Sequence, residues 1–299
     1  MKRFPRSFVF LGPPLFLFGA ILGQQPTIEQ RVERLERNVE RLSTFHGLDF
    51  KPPVPLAPSA GGNIHLRFGD PGGTGTVLSK SHFVISHRND WKIPQWVAYH
   101  LSRENLQGTA QRTDDFRPDP ELPVGQRAEL SDYRNSGFDR GHMAEAASFK
   151  RSQTAMSETF LLSNMAPQKS ALNRRIWADL EDQVRSLARS HGRIWVFTGN
   201  IFQDAQGAPT EPVKRIGGNR VAVPTHCYKV ILCEHSDGTH EVFAFILPNQ
   251  AAPINGGPQK FLQTVDRVEK LTGLDFFAVL PDEEEDRLER TPAMNWPIP

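Results

Sequence analysis

The segment FDRGHMAEAA, residues 138–147, places a histidine directly behind an arginine and a glycine. An unperturbed histidine has a pKa of about 6.5, so its neutral ring can take a proton from water near neutral pH. His142 alone is weak evidence, because the chain has 10 histidines and such residues also serve in cores and on surfaces. Its interpretation therefore depends on the polar residues that accompany it.

Those companions lie downstream in FLLSNMAPQKSALNRRIWADLEDQVR, which favours a strand, a loop and a helix. Asn173 is predicted at the helix N-cap, with its amide oxygen pointing outward. Glu181 is rotated from Asn173 by about 80° at 3.6 residues per turn, so both can face one cleft. Glu181 and Arg185 also have the i, i+4 spacing of an ordinary helix ion pair, and that alternative stays open.

The elements that would position these residues alternate between strands and helices. HFVIS (82–86) and WVAYHL (96–101) predict a hairpin with a long connection. Cys227 and Cys233 share one predicted strand and lie too far apart to bridge, so we expect unpaired core or edge residues. Further strands are predicted at RIWVFTG, VAVPTHCYKVILC and EVFAFILP. Helices are predicted at SQTAMSETF, NRRIWADLEDQVRSLARSHG and PQKFLQTVDRVEKLTG. The acidic segment PDEEEDRLER is predicted to be a helix with a solvated face.

The N-terminal segments differ from the rest of the chain. Residues 1–23 combine a basic start with an apolar run, which predicts a signal peptide for export, with an uncleaved membrane anchor as the alternative. Residues 24–46 carry an apolar heptad pattern and predict a short coiled-coil helix, unless that helix docks on its own domain. Residues 47–62 form a Pro-rich linker, and residues 63–299 form the main domain.

Composition limits the functional classes. With 299 residues and 38% hydrophobic residues, the chain can bury a large core. Its 35 Lys and Arg against 34 Asp and Glu give a net charge of +1, so no global basic field attracts nucleic acid. Any nucleic-acid site must therefore be a local patch.

The DRGH motif is followed 31 residues after its histidine by Asn173, with LSNMAPQ between them and WADLE after. This arrangement resembles the DNA/RNA non-specific endonucleases of the ββα-metal, endonuclease G-like class. The resemblance runs from about residue 75 to 280 and includes GGNRVAVPTHCYKVIL and VEKLTGLDFF. It implies an α+β fold, the ββα-metal nuclease fold, with a central, mostly antiparallel sheet flanked by helices.

For the site, the resemblance implies His142 as the general base. It implies Asn173 as the one direct protein ligand of Mg²⁺, with Mn²⁺ as a substitute, and Glu181 as the residue that orients water at the metal. DNA and RNA are the implied substrates, and a homo-oligomer, such as a dimer, is the implied assembly. Three further residues are implied to assist around the metal and the scissile phosphate: Arg140, Asn164 and Arg185. Arg112 is the implied contact to a phosphate upstream.

Elementary chemistry agrees with these roles. Phosphodiester hydrolysis needs an activated water, charge stabilisation on the phosphoryl oxygens and help for the leaving oxygen. Mg²⁺ prefers oxygen ligands and keeps several waters, so a single asparagine oxygen with the substrate phosphate is a reasonable ligand set. Contacts confined to phosphate and sugar carry no direct sequence information, so weak specificity is expected. Activity is expected to rise with pH as His142 loses its proton.

Glu145 departs from the family pattern, which has proline or alanine at this position. We expect its carboxylate to point to solvent; the alternative is that it repels phosphate or raises the pKa of His142.

A rival function is a catalytically inactive nucleic-acid-binding or scaffold protein on the same fold. The intact set of His142, Asn173 and Glu181 favours the enzyme. The sequence does not identify an inhibitor protein.

Overall fold

The computed structural model describes residues 62–235, 237–290 and 296, all of which belong to one compact unit. The leader, the coiled-coil helix and all but the last residue of the linker lie outside the described residues and stay predictions. Within the described part of the chain, no helix is long and apolar enough to cross a membrane.

A seven-stranded sheet forms the centre of the fold, with strand order β1-β2-β3-β6-β9-β10-β11 and antiparallel pairing throughout. Two further antiparallel ribbons, β4–β5 and β7–β8, lie outside it. The predicted antiparallel sheet is therefore confirmed. The strands are β1 Thr76–Ser79, β2 Val84–Arg88, β3 Ile93–Ser102, β4 Asp139–His142, β5 Met165–Gln168, β6 Arg193–Ile201, β7 Arg215–Ile216, β8 Val221–Ala222, β9 His226–Glu234, β10 His240–Pro248 and β11 Leu262–Gln263.

Helices cover both faces of this sheet. The long helix α3 directs the apolar stripe predicted from its sequence against one face, where Ile194 and Val196 of β6 also point. The alternate residues Trp195 and Phe197 point to the opposite face and pack with α4 and Leu288 of α5. The helices are α1 Leu130–Tyr133, α2 Gln153–Glu158, α3 Trp177–His191, α4 Val265–Thr272 and α5 Asp282–Arg290, and a π-helical turn, Leu172–Ile176, directly precedes α3.

Several predicted boundaries need correction. The predicted strand VAVPTHCYKVILC is interrupted between β8 and β9, where Pro224 has no N–H to donate to a ladder. The predicted helix PQKFLQTVDRVEKLTG starts only at Val265, because the hydroxyl of Thr264 caps it by accepting from the Arg267 N–H. Its first half is instead a 3₁₀ turn, Pro258–Phe261, and the short strand β11.

The burial of side chains tests two further predictions, one on the two cysteines and one on the acidic C-terminal helix. Cys227 and Cys233 are both free and buried in the core, as predicted. The segment PDEEEDRLER does form helix α5, but it is not simply a solvated face, since Leu288 and Glu289 are buried.

Candidate active site

The ribbon β4–β5 and helix α3 build the site. His142 ends β4 and is paired in register with Met165 of β5. After β5 the chain forms the π-helical turn and α3. The first residue of α3, Trp177, donates from its indole N–H to the His142 carbonyl oxygen at 3.3 Å. This bond joins the end of β4 to the start of the helix, so two strands and one helix meet at the histidine.

Asn164 holds the backbone directly after His142. Its side-chain oxygen accepts from the Ala144 N–H at 2.9 Å, and its amide nitrogen donates to the carbonyls of Ala144 at 2.9 Å and Thr159 at 2.8 Å. The residue is completely buried, so its side chain has no direct access to a phosphate or a metal. The implied role of Asn164 beside the scissile phosphate is therefore replaced by a structural one.

The imidazole of His142 is held by aromatic rings. Its centroid lies 5.0 Å from that of Phe160 in an edge-to-face contact and 5.6 Å from that of Phe116. Nε2 is buried and has no hydrogen-bond partner among the described residues. Burial, together with the smaller effect of the positive charges of Arg112 and Arg140, lowers the pKa of His142 to about 3. The ring is therefore neutral at physiological pH.

Asn173 lies inside the π-helical turn and not at an N-cap, so the predicted cap is wrong. Its backbone N–H already donates to the Lys169 carbonyl at 2.9 Å. Its side-chain nitrogen donates to Asp139 Oδ2 at 3.1 Å, which directs the amide oxygen away from that carboxylate. Arg174 holds the same carboxylate through two bonds of 2.7 and 2.8 Å, and π-turns of this kind are frequent at functional sites.

Behind Glu181 lies a buried group of charges. Glu145, predicted to point to solvent, is only 4% exposed: its carboxylate accepts from the Tyr99 hydroxyl at 2.8 Å, from Ser148 and from Arg185 at 3.3 Å. The surface expectation for Glu145 is therefore wrong.

The partners of Arg185 and Glu181 differ from those of a simple helix pair. Arg185 contacts Glu145 and Asp182. Burial raises the pKa of Glu181 to about 8, and the neighbouring Glu145 carboxylate contributes to this rise. The fully buried Nζ of Lys229 lies 4.7 Å from the Trp177 ring and has no hydrogen-bond partner among the described residues.

A cleft of about 630 Å³ brings most of the predicted site residues together. Its lining contains four arginines and two carboxylates, a local excess of positive charge that the overall charge of the chain does not reveal. Arg185 is not part of this lining and borders a smaller adjoining cavity of about 130 Å³. The predicted residues that line the large cleft are Arg112, Arg140, His142, Asn173 and Glu181.

Two of these arginines sit against aromatic rings. The guanidinium carbon of Arg140 lies 3.9 Å from the centre of the Phe116 ring, and that of Arg112 lies 4.9 Å from the centre of the Phe160 ring. The same two rings contact His142, so the arginines and the histidine share one aromatic support. Arg112 also donates to Asp114 at 2.8 Å and stays half-exposed at the cleft.

Sequence reasoning missed several residues of the site. Asp139 was available as a signal, because it is the first residue of the DRGH motif. Trp177 stood in WADLE but was interpreted only as part of the apolar face of the helix. Phe160 and Lys229 offered no local signal, since their roles arise from contacts with residues far away in the chain.

Comparison with known proteins agrees with this geometry. The family of DNA/RNA non-specific endonucleases matches residues 61–283. Nuclease C1 of Cunninghamella echinulata var. echinulata is 41% identical over 219 residues, which are 71% of this chain and 86% of that protein. The mitochondrial endonuclease G of Bos taurus is 38% identical over 234 residues, which are 75% and 77% of the two chains.

A solved structure is also similar. The crystal structure of the EndoG/EndoGI complex contains a chain that is 34% identical, with a TM-score of 0.70, over 76% of this chain and 96% of that one. The fold and the cleft thus define an α+β nuclease of the ββα type, a hydrolase acting on nucleic acids. The chain belongs to the DNA/RNA non-specific endonuclease family.

Proposed function

We propose that the protein is a Mg²⁺-dependent endonuclease that hydrolyses phosphodiester bonds of DNA and RNA without sequence preference. The observation that carries this proposal is the convergence of His142, Asn173 and Glu181 on one arginine-lined cleft. Mn²⁺ is proposed as a substitute for Mg²⁺. The arginines of the cleft offer cationic contacts for phosphates, and contacts of this kind carry no direct sequence information.

The donor set fits a hard divalent cation. The Asn173 side-chain oxygen is free of the bond that the side-chain nitrogen makes with Asp139, and Glu181 adds a carboxyl group in the same cleft. A cation near Glu181 would favour the carboxylate over the protonated form that burial favours. Asn173 would hold the ion, which when bound stabilises negative charge on the phosphoryl and leaving oxygens.

The remaining steps belong to side chains of this chain. His142 would take the proton of the attacking water at Nδ1, because Nε2 is buried and cannot reach the cleft. Arg112 and Arg140 would bind phosphate oxygens, while Asp139 would fix the Asn173 amide and Glu181 would orient water. Arg185 and Asn164 would act through other residues, since one supports Glu145 and the other the backbone behind His142.

The cofactor requirement gives a direct test. Wild-type protein should nick supercoiled plasmid in Mg²⁺ and lose this activity in excess chelator. Asn173→Ala should raise the Mg²⁺ concentration for half-maximal rate by about 10-fold or more, since loss of even a residue that only orients a ligand typically costs 10- to 100-fold. Asn219→Ala, which removes an asparagine outside the cleft, is the control. Undiminished cleavage in chelator would remove the proposed metal dependence.

The pH dependence should differ from the one expected for a free histidine. Because burial and two arginines lower the pKa of His142 to about 3, its neutral form persists far below pH 6.5. Activity should therefore show no acid limb from this residue between about pH 5 and 7, contrary to the rise expected from sequence. NMR titration of the His142 ring in substrate-free protein checks this, and a midpoint near 6.5 would contradict the burial argument.

The N-terminal predictions complete the proposal. We propose export followed by removal of residues 1–23, with an uncleaved anchor as the alternative, and N-terminal sequencing of protein from its native compartment decides between them.

The heptad pattern of residues 24–46 supports self-association as a dimer. Sedimentation of a chain lacking residues 24–60 tests whether this segment or the nuclease domain carries the interface.

A further inference from the structure

Three potential metal ligands from three elements converge at a second place in the fold. His191 is the last residue of α3, His235 follows β9 and Glu241 lies on β10. Their ligand atoms all lie within 4.8 Å of one another. The rings of His191 and His235 are 5.2 Å apart between centroids, and His235 Nε2 lies 3.8 Å from Glu241 Oε2.

The orientation of His191 suits metal binding. Its Nδ1 lies 3.3 Å from the Leu187 carbonyl oxygen and 3.1 Å from the Ser190 hydroxyl. An Nδ1–H donated to a backbone carbonyl leaves Nε2 as a free acceptor, and this is the arrangement that commonly fixes a histidine ligand. Glu241 adds a negative charge, so the set offers two imidazole nitrogens and one carboxylate oxygen.

Hydrogen bonds also hold the residues around the other two ligands. The His235 N–H donates to the Thr239 carbonyl at 2.9 Å, and Asp237 accepts from the Thr239 N–H and hydroxyl at 3.0 and 2.7 Å. Glu241 is paired in register with Cys233 on the adjacent strand. Hydrogen bonds thus hold the backbone at both ligands, and their side chains, 36% and 42% exposed, are open to a solvated ion.

We propose that His191, His235 and Glu241 form a Zn²⁺ site that ties the C-terminus of α3 to the β9–β10 hairpin. Tetrahedral Zn²⁺ with ligands at about 2.0–2.2 Å places its ligand atoms about 3.3–3.6 Å apart. Side-chain rotations that move the ligand atoms by about 1 Å would bring these three residues to that spacing. Imidazole suits Zn²⁺ better than Mg²⁺ or Ca²⁺, which prefer oxygen ligands. Water would complete the coordination on the exposed side.

This site is separate from the cleft. Glu181 and His191 are ten residues apart on α3, which corresponds to about 15 Å along the helix axis. Zinc bound there would fasten the far end of the helix that carries Glu181 and Arg185. The expected effect is stabilisation of the fold and not a step of the reaction.

The experiment is titration with ZnCl₂ by calorimetry, using full-length protein with His142→Ala so that the cleft imidazole provides no ligand. We expect one Zn²⁺ per chain and a Tm about 5–10 °C higher at a zinc concentration 100 times the Kd. His191→Gln and His235→Gln should each weaken binding at least about 100-fold, because each removes a direct ligand. Glu241→Gln should also weaken it.

His240→Gln is the matched control, because His240 also contacts a carboxylate, Glu284 at 2.7 Å, without belonging to the triad. It should bind zinc as the parent does. Equal loss in this control, retention of binding in both His191→Gln and His235→Gln, or no saturable binding in the parent would each overturn the site. The same triad substitutions made with His142 intact should keep plasmid cleavage in Mg²⁺, which separates loss of zinc from unfolding and from failure of the proposed nuclease function.

Discussion

Replacing His142 with alanine is expected to lower the rate of phosphodiester cleavage by about 10² to 10⁴, the usual contribution of a general base. The arginines of the cleft and the Asn173–Asp139 pair do not depend on the imidazole, so binding should survive. Single-turnover cleavage of a labelled duplex measures the rate. Oligonucleotide affinity should stay within about threefold of that of the wild type held in chelator.

Two controls make this result specific. His226→Gln removes a half-buried histidine of β9 outside the cleft and should leave the rate near that of the wild type. Added imidazole should restore part of the activity of His142→Ala, since the cavity left by the ring can admit a small base. A wild-type rate in His142→Ala would exclude this residue as the base. A wild-type protein that binds nucleic acid but shows no turnover with any divalent ion would instead support the scaffold alternative.

Local sequence patterns predicted the part of the site that depends on short stretches of chain. The DRGH motif, Asn173 at 31 residues after its histidine, and the helix α3 that follows all lie on the β4–β5–α3 unit, so spacing along the chain corresponds to proximity in space. His142, Asn173 and Glu181 consequently share one cleft. Several strands were predictable for a similar reason, because short apolar runs identify strands, whereas the antiparallel sheet that they form was implied by the family resemblance.

The errors concern residues whose partners are distant in sequence. Glu145 was assigned to the surface because a lone carboxylate is usually exposed, but Tyr99, 46 residues earlier, and Arg185, 40 residues later, enclose it. Asn164 has the same polar side chain whether it faces a phosphate or a backbone. Only the Ala144 and Thr159 carbonyls, placed by the fold, decide between the two. The π-helical turn at Asn173 likewise has no distinct apolar period from which it could be predicted.

The burial of Glu145 leads to the second large expected effect, which is on stability. Glu145→Ala should lower the free energy of unfolding by about 3–5 kcal/mol, because it leaves the charge of Arg185 without its buried partner and removes the acceptor of the Tyr99 hydroxyl. A carboxylate pointing to solvent would instead contribute within about 0.5 kcal/mol. Chemical denaturation followed by circular dichroism distinguishes these two values.

Asp182 provides the matched control for this substitution. Its carboxylate contacts the same Arg185 guanidinium from the solvent side and is 74% exposed, so Asp182→Ala should cost at most about 1 kcal/mol. The double variant Glu145→Ala with Lys229→Met should recover part of the lost stability, since it also removes a buried amino group whose charged form burial disfavours and Glu145 favours. Equal effects of Glu145→Ala and Asp182→Ala would show that burial gives Glu145 no special role. A large difference between them would instead make Glu145 part of the support beneath Glu181.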